Sequence, residues 1–516
     1  MSVFTAWKET LRRSSGGNDT ANEFSVVLQN LIGDSAKYLV GLVLMGAAST
    51  ILLPLYMRYL NPAQFGLYAL VEVSSLALIA VAGLGFNTSY LKWHAEEENK
   101  DRSRLIGSML VTNGTVALVL GGAFAATVQS GAGVRLLGGQ TKEFAWLLMP
   151  LIVFESLCAS FETHLRAGRR PTAISVASVV RLVAIALLSI WLIAMQHRGL
   201  AGLFQGRVLG DLIGLVAIAL YCWRDVSMRF SRHLSASMLR YGAPLVVTSL
   251  MVLGLDATGR YLLNTYSTLD QVGLYAAGIK ISNLMRILFV APLAAAWGGL
   301  LFQIAKKPNA QFIFSKLFGY IFLISAAIGV TLAFSTPALF AIFSAPSYRA
   351  AMALVPWLLL VQVASIVQYP VATGMYVGNA TRWFMPIYIA GVALDILLGR
   401  ILIPRFGMYG AAWAWLAGWI VICVLMILVG QRHYRLRFEW QPITISIVLC
   451  AVPPMIRHLG LLNLERKSLV IQAACSAAVV STVAMYVVRD VRKSHVVFHK
   501  NFRVRKGLTE FVVEAE

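Results

Sequence analysis

The chain has 516 residues, of which 58% are hydrophobic and only 13% charged, yet its 44 Lys and Arg outnumber its 23 Asp and Glu and give a net charge of +21. Soluble domains carry about 25% charged residues, disordered basic chains lack this apolar content, and nucleic-acid-binding domains are far less apolar. The composition therefore excludes these three classes, and nucleic acid is not expected as a partner. It predicts an all-α integral membrane protein.

The apolar residues form long segments that follow one another from residue 36 to residue 488. Because a helix needs about 20 apolar residues to cross the hydrocarbon core, the segments predict about 14 transmembrane helices. The polar stretch before them is not a cleavable signal, since it holds no long apolar run. The predicted spans are 36–57, 66–86, 105–128, 144–162, 173–195, 199–221, 241–262, 272–297, 312–334, 350–375, 384–403, 410–430, 441–459 and 468–488.

The distribution of Lys and Arg predicts the orientation of the chain in the membrane. Roughly 28 basic residues fall on one set of loops and termini and roughly 8 on the other, and cytoplasmic loops carry such an excess. Both termini are therefore expected in the cytoplasm, in agreement with an even number of spans. Most of the net charge of +21 thus reflects the orientation of the chain in the membrane and does not indicate a charged ligand.

Short motifs in the first half of the chain recur in the second half at an offset of about 208 residues. That offset covers six predicted helices, an even number, so the two halves have the same orientation in the membrane. This predicts two six-helix lobes around a central cavity, related by an axis along the membrane normal, and two additional carboxy-terminal helices. The matched positions are Gly66 and Gly273, Gly168 and Gly378, and Gly199 and Gly407.

The spans and the repeat together divide the chain into six parts. The basic tail at the carboxy-terminal end is also expected to contact anionic lipid headgroups. The parts are a cytoplasmic amino-terminal segment (1–35), a first lobe of spans one to six (36–221), a basic cytoplasmic linker (222–240), a second lobe of spans seven to twelve (241–430), spans thirteen and fourteen (431–488) and the basic cytoplasmic tail (489–516).

Two side-chain patterns within the spans leave alternatives open. Span six carries a glycine at every fourth residue, which gives either a tight helix-packing stripe or a surface that slides or bends during transport. Span twelve carries three closely spaced tryptophans, which either pack against neighbouring helices or stack on sugar rings. The glycines are Gly202, Gly206, Gly210 and Gly214, and the tryptophans are Trp413, Trp415 and Trp419.

Four motifs resemble the signatures of bacterial polysaccharide transporters of the O-antigen flippase type. These transporters belong to the multidrug, oligosaccharidyl-lipid and polysaccharide exporter superfamily, and the resemblance covers residues 36–490. One departure concerns span seven, where the family often has an Asp directly before the Arg. Here that position is Gly259, before Arg260, and the nearest acid is Asp256. The motifs are RYLNPAQFGLYA at 58–69, YGAP at 241–244, DQVGLY at 270–275 and IPRFGMYGAA at 403–412.

The resemblance implies a flippase of the bacterial inner membrane with two helical lobes around a central cavity. Its substrate would be an undecaprenyl-pyrophosphate-linked oligosaccharide, moved from the cytoplasmic to the periplasmic leaflet for cell-surface lipopolysaccharide or exopolysaccharide synthesis. Neither a P-loop nor an H-E-x-x-H motif occurs in the sequence, so neither enzymatic activity nor a cofactor is expected. Coupling to H⁺ or Na⁺, or to the consumption of the product, would then supply the energy.

Basic side chains inside the predicted spans are candidates for binding the anionic pyrophosphate. Charges within a bilayer are costly unless they are paired or hydrated, and Arg and Lys bind phosphate oxygens well. Arg181, Lys280 and Arg286 have no acid at helical spacing and are expected to line the cavity. The substrate-binding candidates are Arg181, Lys280, Arg286, Arg207 and Arg260, with Arg400 as a further intramembrane base.

Acidic side chains inside the spans are candidates for a coupling ion, and each has a structural alternative. Glu155 and Asp395 lack a local base, so they either bind a cation or pair with an Arg on another helix. Arg207 with Asp211 and Arg260 with Asp256 are spaced to form ion pairs within one helix. Arg260 and Arg400 are also close enough to predicted helix ends to reach the interface. The coupling-ion candidates are Glu155, Asp395, Asp211 and Asp256, and Glu72 completes the acidic set.

The expected function is therefore flipping of a lipid-linked anionic glycan by alternating access. Two alternatives stay open at this point. A multidrug–cation antiporter of the same superfamily would need an acidic cavity. A membrane subunit of a polysaccharide synthase or export complex would bind other polysaccharide assembly proteins without flipping a lipid.

Overall fold

The computed structural model describes residues 53–96, 102–130, 133, 139–226, 229–343, 345–458, 472, 474–487 and 489–490. Every regular element within these ranges is helical, and 11 helices are long and apolar enough to cross a membrane. They correspond in order to predicted spans two to twelve, so the all-α transmembrane prediction is confirmed. Most of predicted span 36–57, the segment 1–35 and the tail after residue 490 lie outside the described residues.

The helices follow the order that the hydropathy predicts. The first set is α1 Leu53–Tyr59, α2 Pro62–Ala82, α3 Phe86–Glu96, α4 Arg102–Gln129, α5 Ala145–Ala167, α6 Pro171–Ile190 and α7 Gly199–Cys222. The second set is α8 Arg232–Tyr266, α9 Leu269–Met285, α10 Ala291–Ala305, α11 Ala310–Phe343, α12 Val355–Val371, α13 Thr373–Val377, α14 Phe384–Phe406 and α15 Met408–His433. Two shorter helices follow, α16 Trp440–His458 and α17 Ala474–Val487.

The backbone repeats between the two sets of helices at the positions that the sequence motifs match. Gly199 at the start of α7 and Gly407 directly before α15 have positive φ angles of 51° and 56°. Glycine adopts this left-handed conformation without the steric penalty that a side chain brings. Arg169 and Asn379, the residues after the matched glycines of the fourth and tenth loops, also share a positive φ, at 53° and 54°. The repeat is therefore one of structure as well as sequence, whereas the residue boundaries of the lobes remain a prediction.

The repeat-related helices α2 and α9 pack directly against each other, and matched glycines lie at their contact. A Cβ atom at Gly66 would lie 2.8 Å from the backbone nitrogen of Gly273, and one at Gly273 would collide with the carbonyl of Pro62. Only hydrogen at both positions allows the two backbones to approach this closely. The two halves of the chain are thus in contact at the end of the bundle where α2 and α9 begin, which we call the α2 end.

The halves are also in contact at the opposite end, where α8 begins, which we call the α8 end. A Cβ atom at Gly242 would lie 2.6 Å from the carbonyl oxygen of Leu84. The buried hydroxyl of Ser89 donates a 2.9 Å hydrogen bond to the carbonyl of Met238. The two halves are therefore in contact at both ends of the described part of the bundle.

We expect Gly273→Ala to destabilise the protein by about 1–3 kcal/mol, the usual cost of overpacking. The added methyl group would meet backbone atoms of the other half, which cannot move aside without separating α2 from α9. The midpoint of thermal unfolding of the purified protein in detergent measures this. Gly298→Ala is the matched control, because a Cβ there meets nothing within 4 Å and alanine favours the helix. Equal midpoints for the two variants would contradict the close approach.

The glycine stripe of span six packs α7 against α6. A Cβ at Gly206 would lie 2.7 Å from the backbone nitrogen of Ser189, and one at Gly214 would lie 2.6 Å from the Cβ of Arg181. The packing alternative therefore describes this structure. The missing side chain at Gly214 has a second effect, because it leaves space for the stem of Arg181 beside α7.

The carboxy-terminal helices α16 and α17 pack on α11 and stand apart from the repeat. Leu323 and Val483 belong to one small apolar cluster between α11 and α17. The Lys316 ammonium at its edge contacts Glu439 at 2.9 Å and Asp490 at 2.8 Å. Apolar packing and these ion pairs hold the two helices on the outside of the second half.

Candidate functional site

A chain of alternating acidic and basic side chains crosses five helices within the bundle. The acids are on α2, α5 and α7, and the bases are on α6, α7 and α9. Three negative and three positive charges compensate one another, which is how charges are tolerated away from water. In order of contact, this ion network consists of Lys280, Glu72, Arg207, Glu155, Arg181 and Asp211.

Glu72 joins the two halves of the protein within the ion network. Its Oε1 lies 2.7 Å from Nζ of Lys280 on α9 and 3.9 Å from Nη1 of Arg207 on α7. The hydroxyl of Tyr68, one turn earlier on α2, donates to the same oxygen at 3.1 Å. Side-chain exposures of 12% for Glu72, 14% for Arg207 and 17% for Lys280 leave this part of the network within reach of water.

The other part of the ion network lies wholly inside the first half. Nη2 of Arg207 and Nη2 of Arg181 both contact Oε1 of Glu155, at 2.8 Å and 3.0 Å. Nε of Arg181 lies 2.7 Å from Oδ1 of Asp211, whose side chain is fully buried. Arg181 therefore links two acids and has the position of a structural cation.

The pairing differs from the one that helical spacing suggests. Asp211 pairs with Arg181 of α6, while Arg207, four residues before Asp211, pairs with Glu155 and Glu72. Of the two alternatives for Glu155, cation binding or pairing with an Arg of another helix, the structure shows the pairing. Arg181 and Lys280, which have no local acid, obtain acids from other helices as well.

Arg286 lies apart from the ion network, at a π-helical turn of span eight. The backbone makes a π-helical turn over Arg286–Val290 between α9 and α10, and Pro292 follows in the first turn of α10. Proline lacks the N–H that would continue the helix, and π turns absorb such an interruption. The Arg286 side chain is exposed and has no ion-pair partner among the described residues. Arg181 and Lys280 thus belong to the ion network, whereas Arg286 does not contact it, and a common cavity for the three stays a prediction.

Arg286 lines a separate cavity of about 220 Å³, the Arg286 cavity, between helices of the second half. Asp256 of α8 is also at its wall, and the rest of the lining is aromatic, aliphatic, or carries amide and hydroxyl groups. Two of the three tryptophans of span twelve face this cavity, whereas Trp413 packs against Trp357 and Phe406. The aromatic and polar lining residues are Gln362, Ser365, Gln368, Tyr369, Tyr376, Phe384, Tyr388, Trp415 and Trp419.

Arg260 and Asp256 form the ion pair that their spacing predicts, with Nη2 at 3.3 Å from Oδ1. Arg260 is only 3% exposed and donates to the carbonyl of Ala69 in the other half at 3.4 Å. It therefore does not extend to the membrane interface. A Cβ at Gly259 would lie 2.8 Å from the hydroxyl of Tyr275, so Tyr275 occupies the space of the acid that the resemblance leads one to expect.

Asp395 is a buried carboxylate of α14 without a base. It is 1% exposed, and neither carboxylate oxygen has a hydrogen-bond partner among the described residues. The neighbouring hydroxyl of Thr258 donates to the carbonyl of Gly254 at 2.7 Å instead. Of the four coupling-ion candidates, Asp395 alone lacks a described ion-pair partner, since Glu155, Asp211 and Asp256 each contact an arginine.

The described part of the chain holds no group of three or more His, Cys, Asp or Glu side chains that could bind a metal ion.

The sequence-based site candidates omitted Tyr68, which donates a hydrogen bond to Glu72. The sequence could have pointed to Tyr68 through the repeated Gly-Leu-Tyr motif, in which Tyr68 matches Tyr275. Both tyrosines lie next to candidate positions, Tyr68 beside Glu72 and Tyr275 beside Gly259.

Two repeat-related halves, 11 apolar helices of membrane-spanning length among the described residues and buried charges between the halves define a multi-pass membrane protein. The chain matches the model of the family described as polysaccharide biosynthesis protein over residues 33–305, more than half of its length. It therefore belongs to that family. No curated protein matches the sequence.

Several solved structures share this fold. The lipid II flippase MurJ in an inward closed conformation is similar with a TM-score of 0.71 at 12% identity, over 89% of this chain and 99% of that chain. An inward-facing multidrug resistance MATE family transporter of the MOP superfamily gives 0.61 at 16% identity, over 76% and 94%. The Vibrio cholerae MATE transporter VcmN in the bent form gives 0.54 at 14% identity, over 84% and 100%. At these identities the similarity is one of fold.

Proposed function

We propose that the protein flips an undecaprenyl-pyrophosphate-linked oligosaccharide across the bacterial inner membrane by alternating access, for cell-surface polysaccharide synthesis. The basic loops support a topology with both termini in the cytoplasm. Family membership supports a role in polysaccharide biosynthesis, and the fold supports transport.

One observation carries the proposal: two cations from opposite halves meet at a single carboxylate. Lys280 of the second half and Arg207 of the first half both contact Oε1 of Glu72. A phosphate oxygen carries the same charge as this carboxylate oxygen and accepts the same hydrogen bonds. The pyrophosphate would displace Glu72, bind both cations and release the direct ionic link between the halves.

The ion network does not support the multidrug–cation antiporter equally well. A cationic drug needs an acid that is free to pair, and Glu72, Glu155 and Asp211 each contact a base within the described residues. Asp395 has no base but is only 1% exposed, so a small ion and not a drug would reach it. A buried carboxyl group without a base is neutralised by a proton or compensated by a bound cation. We assign Asp395 the coupling role, with H⁺ or Na⁺ as the ion.

Asp395→Asn is expected to abolish the stimulation of flipping by an imposed ion gradient while equilibration without a gradient continues. The amide has the shape of the carboxyl group but cannot exchange a proton or hold a cation's charge. Proteoliposomes with and without a pH or Na⁺ gradient provide the measurement. Asp270→Asn, at an exposed position at the start of α9, is the control and should keep the stimulation. Full stimulation in Asp395→Asn would contradict the assignment.

Deletion of the gene in the native bacterium tests the proposed function. The expected result is loss of surface glycan together with accumulation of its lipid-linked precursor in the cytoplasmic leaflet. Increased drug sensitivity with normal glycan display would instead favour the antiporter. Loss of glycan without accumulation of a lipid-linked precursor would favour a subunit of a synthase or export complex.

A further inference from the structure

We propose that the Arg286 cavity binds one sugar ring of the transported glycan, and that a negative charge on this ring or on its anomeric oxygen contacts Arg286. The inference rests on the proposed function and adds to it the chemical class of the sugar. The charge would come from a ring carboxylate, as in a hexuronate, or from the phosphate attached to the ring.

The size of the cavity favours a single ring with its substituents. Its volume of about 220 Å³ is below the range of about 300–1,000 Å³ that drug-sized ligands occupy. Tyr369, Tyr388 and Trp419, from three different helices, supply aromatic surface at its wall. The apolar face of a pyranose ring packs against such surfaces, and its hydroxyl groups then point toward polar groups at the edges.

Polar groups with unused hydrogen-bonding capacity surround the aromatic surface. The hydroxyl of Tyr388 donates to Oε1 of Gln368 at 2.6 Å, which leaves the amide N–H groups of Gln368 available as donors. Sugar hydroxyls would accept from these N–H groups. The indole nitrogens of Trp415 and Trp419 are fully buried, so these two side chains supply ring surface only.

The charge of the cavity selects an anion. Asp256 is at the wall, but Arg260 already pairs with it at 3.3 Å. Arg286 has no such acid among the described residues and is exposed to the cavity. A neutral sugar would leave this guanidinium uncompensated, whereas a carboxylate or phosphate would form charge-assisted hydrogen bonds with it.

The position of the cavity suits loading from the cytoplasm. Tyr376 and Phe384 lie at the connection between α13 and α14, at the α8 end of the bundle. Arg382 and Arg432 lie at the same end and belong to the loops that the charge distribution assigns to the cytoplasm. The cavity thus extends from the interior toward the side on which lipid-linked glycans are assembled in the proposed function.

Sugar binding to the full-length protein tests the inference, in a detergent without a sugar headgroup. Saturation-transfer NMR would compare glucuronate, glucose 1-phosphate and neutral glucose as probes. At least one anionic sugar is expected to bind about tenfold more tightly than glucose, because only an anion forms a charge-assisted hydrogen bond with Arg286. Arg286→Gln should remove this tenfold preference. Arg400→Gln is the matched control and should keep it, because Arg400 is another exposed arginine in a span without an ion-pair partner among the described residues.

The outcomes separate this inference from the proposed function. A preference for glucuronate places the charge on the ring, and a preference for glucose 1-phosphate places it on the anomeric oxygen; both support the inference. Equal binding of all three sugars, no binding, or a preference that survives in folded Arg286→Gln would overturn it. Trp419→Phe, which reduces the aromatic surface at the cavity wall, should weaken the binding of all three sugars alike. Wild-type flipping without sugar binding would refute the inference alone, and sugar binding without flipping would refute the proposed function alone.

Discussion

Arg181→Leu is expected to lower the free energy of unfolding by about 3–5 kcal/mol, the cost of leaving a buried acid without its base. Arg181 is the only base that contacts the fully buried side chain of Asp211 within the described residues. Oδ2 of Asp211 has no hydrogen-bond partner there either, so water would not readily replace the guanidinium. The yield of monodisperse protein and its thermal midpoint in detergent provide the measurement.

A double substitution distinguishes this structural effect from other causes. Arg181→Leu combined with Asp211→Leu removes both charges, and Glu155 keeps its contact with Arg207 at 2.8 Å. Apolar replacement of a complete buried ion pair is often neutral, so the double variant should regain most of the lost stability. A single variant as stable as the wild type would contradict the role of Arg181. Loss of glycan display after replacing Arg181 alone would therefore report on folding, not on substrate binding.

Lys280→Gln is expected to leave the protein folded but to slow flipping by about 10- to 150-fold, which corresponds to one charged hydrogen bond of about 1.5–3 kcal/mol. Glu72 keeps its contact with Arg207 and the hydrogen bond from Tyr68, so its charge is not left alone. What the variant loses is the cation that the second half contributes at the interface. Flipping rates in proteoliposomes, with the thermal midpoint measured in parallel, check both parts of this expectation.

Two further variants at the same contact sharpen the result. Lys280→Arg keeps the positive charge and should retain much of the rate. Glu72→Gln removes the carboxylate that competes with the phosphate, so the protein should bind undecaprenyl pyrophosphate more tightly than the wild type. A full flipping rate in Lys280→Gln would rule out Lys280 as a substrate ligand.

The spans could be predicted because hydropathy is a property of continuous segments. Eleven helices were found where the apolar runs predict them, and the repeat was visible because glycine is required where backbones approach closely, as at Gly66 and Gly273. The π-helical turn at Arg286 was less visible. Pro292 indicates an interrupted helix, but the sequence does not say that a π turn, and not a simple kink, precedes it.

The pairing of charges could not be predicted, because it depends on how helices distant in sequence pack. Spacing on α7 suggests a pair between Arg207 and Asp211, yet both find partners on other helices. Lys280 and Glu72 are separated by 208 positions and meet because α2 and α9 are repeat-related neighbours. Likewise, the sequence shows three tryptophans on span twelve but not that Trp415 and Trp419, unlike Trp413, reach a cavity.

Transbilayer movement of a fluorescent undecaprenyl-pyrophosphate-linked oligosaccharide in proteoliposomes tests the central claim most directly. The purified protein is expected to make the lipid in the inner leaflet accessible to a quencher or glycosidase added outside, and Lys280→Gln is expected to slow this movement. Empty liposomes, and liposomes with Lys280→Gln, provide the references. A rate with the wild-type protein that equals the rate of empty liposomes would contradict the proposal that this transporter is a flippase for lipid-linked glycans.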